Sequence, residues 1–322
     1  MNNIKLIFHS NERIRIDKFL SIQLADISRV KIQQLIKMGL ISVNGLKIYT
    51  CDYSLRARDQ IEFIQNIEPK DNTKIKSEEL PFTIIFEDED LLVIDKNPGL
   101  VVHPGAGNRA GTLVDILLSE YKLSNVKGFY PGVVHRLDKD TSGLMIIAKS
   151  NEAHFKLAAQ IANKQVKRSY TALVFGALNP LSGKIETNIG RSTSDKTKMM
   201  VTKSGGKLAI THYNTLNIFA DNALSLVHIE LETGRTHQIR VHMSYKKNHI
   251  VGDKQYIAGH NHAMKGIDSK IKELIKNFPR QSLHSKYLKF LHPITNSEMY
   301  FECALPTDMA ELIYLASEKE LM

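Results

Sequence analysis

From Phe82 onward the chain is a succession of short apolar-rich runs, and their spacing limits the fold more than any other feature. The runs cover 83–86, 91–94, 100–102, 144–148, 170–175, 208–219, 223–231, 286–291 and 299–303. Several alternate apolar with polar residues, as half-buried antiparallel strands do. Helical spacing is predicted over 112–121, 151–163, 236–246, 267–277 and 307–317. This is not a regular βαβ alternation, so the expected fold class is α+β, with a mixed, mainly antiparallel sheet and flanking helices. Hydrophobic residues make up 43% of 322, ample for such a core.

The chain ahead of Phe82 has a different character. Ile16, Phe19 and Leu20, then Ile32, Leu35 and Ile36, have helical spacing. Asp26 or Ser28 can cap the second helix, and Gly39 ends it. Asn44-Gly45 between apolar runs signals a tight hairpin, because both residues tolerate positive φ. Over 11–58 nine cations face four anions. Two helices followed by a hairpin, with Arg13, Arg15, Lys18, Arg29, Lys31 and Lys37 among the cations, resemble the S4 RNA-binding domain. The resemblance assigns those six cations to RNA. The sequence departs from the S4 pattern at Arg58-Asp59, where Gly-Asp is usual. The expected division is an S4-like domain over 11–66, a polar linker over 67–81 and a larger domain over 82–322.

Composition narrows the class. The formal charge of +9 favours a polyanion partner. No run of 18 apolar residues is present, so no membrane span or membrane partner is expected. The first ten residues are too weakly apolar for a secretory signal. Two cysteines, Cys51 and Cys303, fit free thiols in a reducing cytoplasm.

The chemistry is concentrated in His135-Arg136-Leu137-Asp138-Lys139-Asp140-Thr141-Ser142-Gly143, followed by the apolar run Leu144–Ala148. That order suggests a reactive loop feeding a buried strand. A second constellation, Leu231-Glu232-Thr233-Gly234-Arg235-Thr236-His237-Gln238-Ile239-Arg240, follows a predicted strand and opens a helix. An Arg beside a carboxylate favours its charged form. A third, Lys167-Arg168-Ser169-Tyr170, enters a strand whose alternation sets Tyr170, Ala172 and Val174 on one face.

These three motifs, with Pro98–Asn108, Lys198–Val201 and Pro279–Ser285, resemble the RluA family of pseudouridine synthases, most closely its RluD-type branch. The resemblance spans about residues 12–317 and implies the pseudouridine synthase catalytic fold behind the S4-like domain. It implies an isomerase that converts uridine to pseudouridine in 23S ribosomal RNA, at helix 69 for the RluD type. It makes Asp138 the essential catalytic residue and pairs Arg240 with it. Tyr170 would stack on the target base and could help remove the C5 proton, with Ile239 on the base's other side. His135, Arg136, Leu137, Thr141, Ser142, Gly143, Arg235, His237 and Gln238 would complete the substrate site. RluC-type targets, a tRNA substrate and a non-catalytic RNA-binding assembly factor are the alternatives.

No cofactor is expected. The glycines at 105, 107 and 111 do not match a dinucleotide fingerprint, and Ser204-Gly205-Gly206-Lys207 lacks the first glycine of a phosphate loop. No metal is expected either, since His237 and His242 stand five apart where zinc helices use four. His103, His135 and His284 remain a set that could converge in space. The expected partner is 23S rRNA, free or in an assembling large subunit, bound by a cytoplasmic monomer in ribosome biogenesis. The loop after the second motif departs from the family at His249, where Pro is usual, and at Ile257, where Gly is common.

Overall fold

The computed structural model describes residues 3–10, 12–24, 32–33, 35–36, 39–64, 80–105, 108, 110–256 and 267–317. Two compact units emerge, one ending at Lys74 and one starting at Ile75.

In the first unit, β1 (Asn3–Ile7), β3 (Ile41–Val43), β4 (Leu46–Ile48) and β6 (Gln60–Ile64) form an antiparallel sheet in the order β1-β6-β3-β4. Helix α1 (Ile16–Gln23) follows the short strand β2 (Ile14–Arg15), which pairs with β5 (Ser54–Leu55). Strand β1 lies ahead of residue 11, where the sequence suggested the module begins. Asn44 and Gly45 both take positive φ, and Val43 faces Leu46 across the tight hairpin. Gly39 ends the second helical stretch at φ 66°, its amide bonded to the Ile36 carbonyl. Ile16, Leu20, Ile32, Ile36, Ile41 and Ile61 are buried together in this unit's own core. Arg58 takes φ 73°, the conformation for which glycine is suited, and its amide bonds to the Phe8 carbonyl.

The second unit is one ten-stranded sheet. Its strands are β7 (Phe82–Glu87), β8 (Leu91–Lys96), β9 (Ser142–Ala148), β10 (Lys167–Phe175), β11 (Ser182–Arg191), β12 (Met199–Thr202), β13 (Lys207–Phe219), β14 (Leu224–Leu231), β15 (Leu283–Leu291) and β16 (Glu298–Glu302). The order is β12-β11-β13-β14-β10-β15-β9-β8-β7, with β16 also on β15. Every pairing between these strands is antiparallel except β15 with β9, where His284 faces Ser142 and Ser285 faces Gly143. The α+β class and its mainly antiparallel sheet are therefore observed.

Helices cover both faces. On one, α2 (Leu113–Glu120) and α4 (Gln238–Tyr245) pack Leu113, Leu117, Ile239 and Met243 onto Tyr170, Ala172 and Val174. Leu173 and Phe175 point the other way, toward α5 (Ser269–Asn277) and α6 (Thr307–Ser317). Leu157 of α3 (Asn151–Ala162) joins Leu144, Ile146 and Leu288 in a separate core. Thr112 and Asp115 cap α2 reciprocally, and Ser150 caps α3 through the Ala153 amide.

Two expectations need correction. Residues 100–102 are not a strand, although Leu100 and Val102 are buried in the core. Strands β11 and β12 were absent from the expected runs. Strand β11 is mostly polar, with Ile185 and Ile189 its buried positions, and β12 is a run of only four residues, none of them buried.

Candidate active site

Asp138 lies in the loop that feeds β9, and neighbouring elements fix that loop. The Gly99 amide and the Lys96 ammonium both donate to the Lys139 carbonyl, at 2.9 and 3.0 Å. Arg280 donates to the Asp140 carbonyl (3.3 Å), and Gln281 to the Thr141 hydroxyl (3.1 Å). The Ser142 hydroxyl pairs with Nδ1 of His284 at 2.9 Å. Gly143 follows at φ 113°, and a Cβ there would overlap the Ser285 backbone. Only glycine lets β9 run so close to β15 at this point.

Lys96 is fully buried, and its Nζ also donates to the carbonyls of Asn97 and Leu100 (2.9 and 3.0 Å). Three acceptors match the three donors of an ammonium group. Burial nevertheless lowers its pKa to about 7, against the attraction of Asp140 and Asp138.

Arg240 stands in the first turn of α4 and reaches Asp138. Its Nη1 lies 3.2 Å from Oδ2 of Asp138. Its Nε and Nη2 grip Asp253 at 2.7 and 2.9 Å, and Nη2 also donates to Oε1 of Gln255 at 3.2 Å. Burial works against the Arg240 charge, but the bonds to Asp253 and the charges of Asp253 and Asp138 outweigh it and raise its pKa. Burial likewise opposes the charge on Asp253. The Arg240 bonds and the amides of Gln255 and Tyr256 prevail, so its pKa is lowered. The Tyr256 ring sits under the guanidinium, 4.9 Å from Cζ to centroid.

His237 precedes α4 in a left-handed conformation, φ 55°. Its Nδ1 pairs with the Tyr256 hydroxyl at 2.7 Å, and Nε2 lies 4.0 Å from Oδ2 of Asp138. Tyr170 is 4% exposed. It sits at a register shift between β10 and β15, a device that re-aims side chains near sites. Burial raises the pKa of its hydroxyl, so it is a neutral phenol at neutral pH. Asp138, Arg240, Tyr170, Leu137 and Ile239 line one cavity of about 430 Å³. A second cavity, of about 470 Å³, lies across Arg136 and Asp138.

Other expected residues sit as follows. Arg136 is exposed and holds Nε2 of His103 at 2.9 Å, while His103 stacks on Tyr130. Gln238 is buried and fixes the turn before α4, accepting from Thr233 and the Arg235 amide and donating to Ile210 and Thr211. The Arg235 side chain donates to the Leu208 carbonyl. His135 is buried, accepts from the Ile146 amide and has its pKa lowered to about 3 by burial and by the nearby Arg168 charge. Thr141 and Ser142 are buried within the loop's support. In the first unit Arg13 and Lys18 are exposed, whereas Arg15 is engaged by Asp17 at 3.0 and 3.2 Å. Arg29, Lys31 and Lys37 lie outside the described residues, as do Asp26, Ser28 and Ile257.

The histidines 103, 135 and 284 do not converge. His284 instead meets Cys303 (Nε2 to Sγ 3.1 Å) and Asp95. Burial pushes the Cys303 thiol up to about 12 and His284 down to about 4.

Sequence reasoning did not find Asp253, Gln255 and Tyr256 as partners of the site, nor Arg168 as one of its walls. A signal existed for Asp253, since an arginine carried into a core requires a carboxylate, and Gly252-Asp253 comes soon after the motif.

Comparison with known proteins completes the description. Residues 90–245 match the RNA pseudouridylate synthase family, and residues 14–61 match the S4 domain. The chain is 41% identical to the RNA pseudouridine synthase YlyB of Bacillus subtilis (strain 168), covering 97% of this chain and 98% of that protein. It is 37% identical to the ribosomal large subunit pseudouridine synthase D of Pasteurella multocida (strain Pm70), over 93% and 90% of the two chains. Among solved structures it resembles human RNA pseudouridylate synthase domain containing 4, with a TM-score of 0.56 and 25% identity over 72% of this chain and 92% of that one.

Proposed function

This chain belongs to the RluA-type RNA pseudouridine synthases, and from that membership we propose that it isomerises uridines of 23S ribosomal RNA, in helix 69, with Asp138 as the reacting carboxylate. The observation that carries this reading is the 3.2 Å contact of Arg240 with Asp138 at a cavity that Tyr170 also lines.

The chemistry can be derived from that arrangement. The target uridine leaves its stack and enters the cavity, at a cost of a few kcal/mol in a helix and less in a loop. Its base lies on the Tyr170 ring, with Ile239 and Leu137 supplying apolar walls. Stacking on an aromatic ring contributes about 1–3 kcal/mol and is open to either face of the base. That tolerance suits a reaction in which the uracil must turn over between two bonds. The C1′–N1 bond breaks, the base rotates, and C5 joins C1′. Arg240 holds the Asp138 carboxylate toward the sugar. Arg136, at the rim between the two cavities, is suited to the vacated stack position or to phosphate. The first unit supplies RNA affinity through its exposed cations, Arg13 and Lys18 among them. The protein acts in the cytoplasm, as a monomer, on free rRNA or on an assembling subunit.

The test replaces Asp138→Asn in the full chain and measures pseudouridine in a 23S rRNA transcript. Product is expected to vanish while RNA affinity is retained, and undiminished product would remove Asp138 from the reaction. Pseudouridine maps of rRNA and tRNA from cells with and without the gene identify the substrate. A loss confined to tRNA would overturn the rRNA assignment.

A further inference from the structure

Arg168 has no place in the reading so far, yet its position is unusual. It enters β10 two residues before Tyr170 and lines the same cavity as Asp138. It is only 5% exposed, and its Nε has no hydrogen-bond partner. Among the described residues no carboxylate pairs with it. The carboxylate at the cavity mouth, Glu232, is already taken by Lys164 and His212, both at 2.6 Å. Gly234 of the second motif leaves room for the guanidinium, since a Cβ there would stand 2.9 Å from Nη1.

A buried cation without a counter-ion is costly to a fold. Such a group persists where a ligand completes it. Its field reaches the site, because the Arg168 charge opposes the burial-driven rise in the Tyr170 pKa and adds to the fall at His135.

We infer that Arg168 is a catalytic residue that donates hydrogen bonds to the oxygens of the target uracil and holds the negative charge the base carries while detached. The inference rests on the isomerase reading above. When C1′–N1 breaks, the bonding pair leaves with the base, and the charge spreads over O2 and O4. C1′ is then bonded to the Asp138 carboxylate, or C2′ has given it a proton. C5 of the anion then attacks C1′, which expels the Asp138 carboxylate from C1′ or takes the proton back from Asp138 to C2′. The base is neutral from that point, and passage of the C5 proton to N1 leaves a product isomeric with the reactant. A planar fork of donors suits a charge shared by two oxygens that exchange places as the ring turns. Donors aimed at charge that develops only during reaction act on turnover rather than on binding.

The experiment measures kcat and KM of the full chain on a large-subunit rRNA transcript, with unfolding temperature in parallel. If the wild-type chain makes no pseudouridine there, the isomerase reading fails rather than this inference. Given wild-type turnover, Arg168→Met is expected to lower kcat about 100- to 1000-fold, with KM for the RNA little changed. Its unfolding temperature should rise, because an apolar side chain replaces an unpaired buried charge. Arg168→Lys keeps the charge without the fork and should fall between. Unchanged kcat in Arg168→Met overturns the inference. So does a raised KM with kcat preserved, which marks a phosphate contact. A lower unfolding temperature in both variants also overturns it, because it marks a structural cation.

Discussion

Two of the three nitrogens of Arg240 are committed to Asp253, which leaves Nη1 to face Asp138. Aim of this kind comes from behind the site. Asp253 is 1% exposed and Arg240 8%, so removing one partner strands the other in the core. Asp253→Ala is therefore expected to destabilise the larger unit by about 3–5 kcal/mol. Urea denaturation checks this, and a loss below about 1 kcal/mol would contradict it. Asp253→Asn, which keeps the shape, should lose less stability but still misdirect Nη1 and lower turnover. Asp138, Tyr170 and Arg240 were legible because each stands in a string of side chains with its own order. Asp253 and Arg168 were not, since their importance comes from burial and from what they face across the fold, which spacing along a chain does not encode. His135 shows the converse. Its motif is plain in the sequence, yet that its Nε2 accepts from the Ile146 amide while Nδ1 is left without a partner is known only from the fold.

At the scale of elements, the turn ahead of β6 carries a local conflict. Arg58 holds φ 73° where a side chain other than glycine costs about 1–2 kcal/mol. Asp59 keeps the turn in place all the same, accepting from the Arg56 amide and from Asn44, both at 2.8 Å. Glycine would relieve the backbone but lose about 0.5–1 kcal/mol to the freedom of the unfolded chain. Arg58→Gly should thus raise local stability by about 0.5–1 kcal/mol, read as slower hydrogen exchange at the β6 amides. Faster exchange would show the turn to be unstrained. Long periodic elements were readable, and α6 runs over 307–317 as its spacing suggests. Strand β11 was not, because only every fourth side chain, Ile185 and then Ile189, is buried and the rest are polar or glycine. The run at 100–102 misled for the opposite reason. Its apolar side chains fill the core from a loop, with the Val101 and Val102 carbonyls accepting from the first amides of α2.

Across the whole molecule, three buried histidines share one consequence. Burial holds His135 at about 3 and His242 and His284 at about 4, against an ordinary value of roughly 6.5. In each case the unfolded chain binds a proton that the folded chain refuses. Their stability contribution is complete above pH 6.5 and is lost as the pH falls toward 4. Each such group contributes up to about 1.4 kcal/mol per pH unit within that window. Unfolding free energy should therefore drop by about 4 kcal/mol between pH 7.5 and 5.5. A flat profile over that range would mean that the rings are hydrated. The division into two units was readable from the polar stretch before Phe82. The strand order was not, because it depends on pairings such as His284 with Ser142, residues far apart along the chain.

That last pairing has a consequence of its own. Strands β7, β8 and β9 form a three-stranded block that carries Asp138, while Tyr170 and Arg240 belong to the block from β10 onward. The two join along the short parallel seam at Ser142 and Gly143. On the proposal that Asp138 is the reacting carboxylate, reactivity would be withheld from a nascent or half-assembled polypeptide, whose carboxylate has not yet met its guanidinium. Such an immature chain would hold RNA without altering it, and competence would arrive together with the finished sheet.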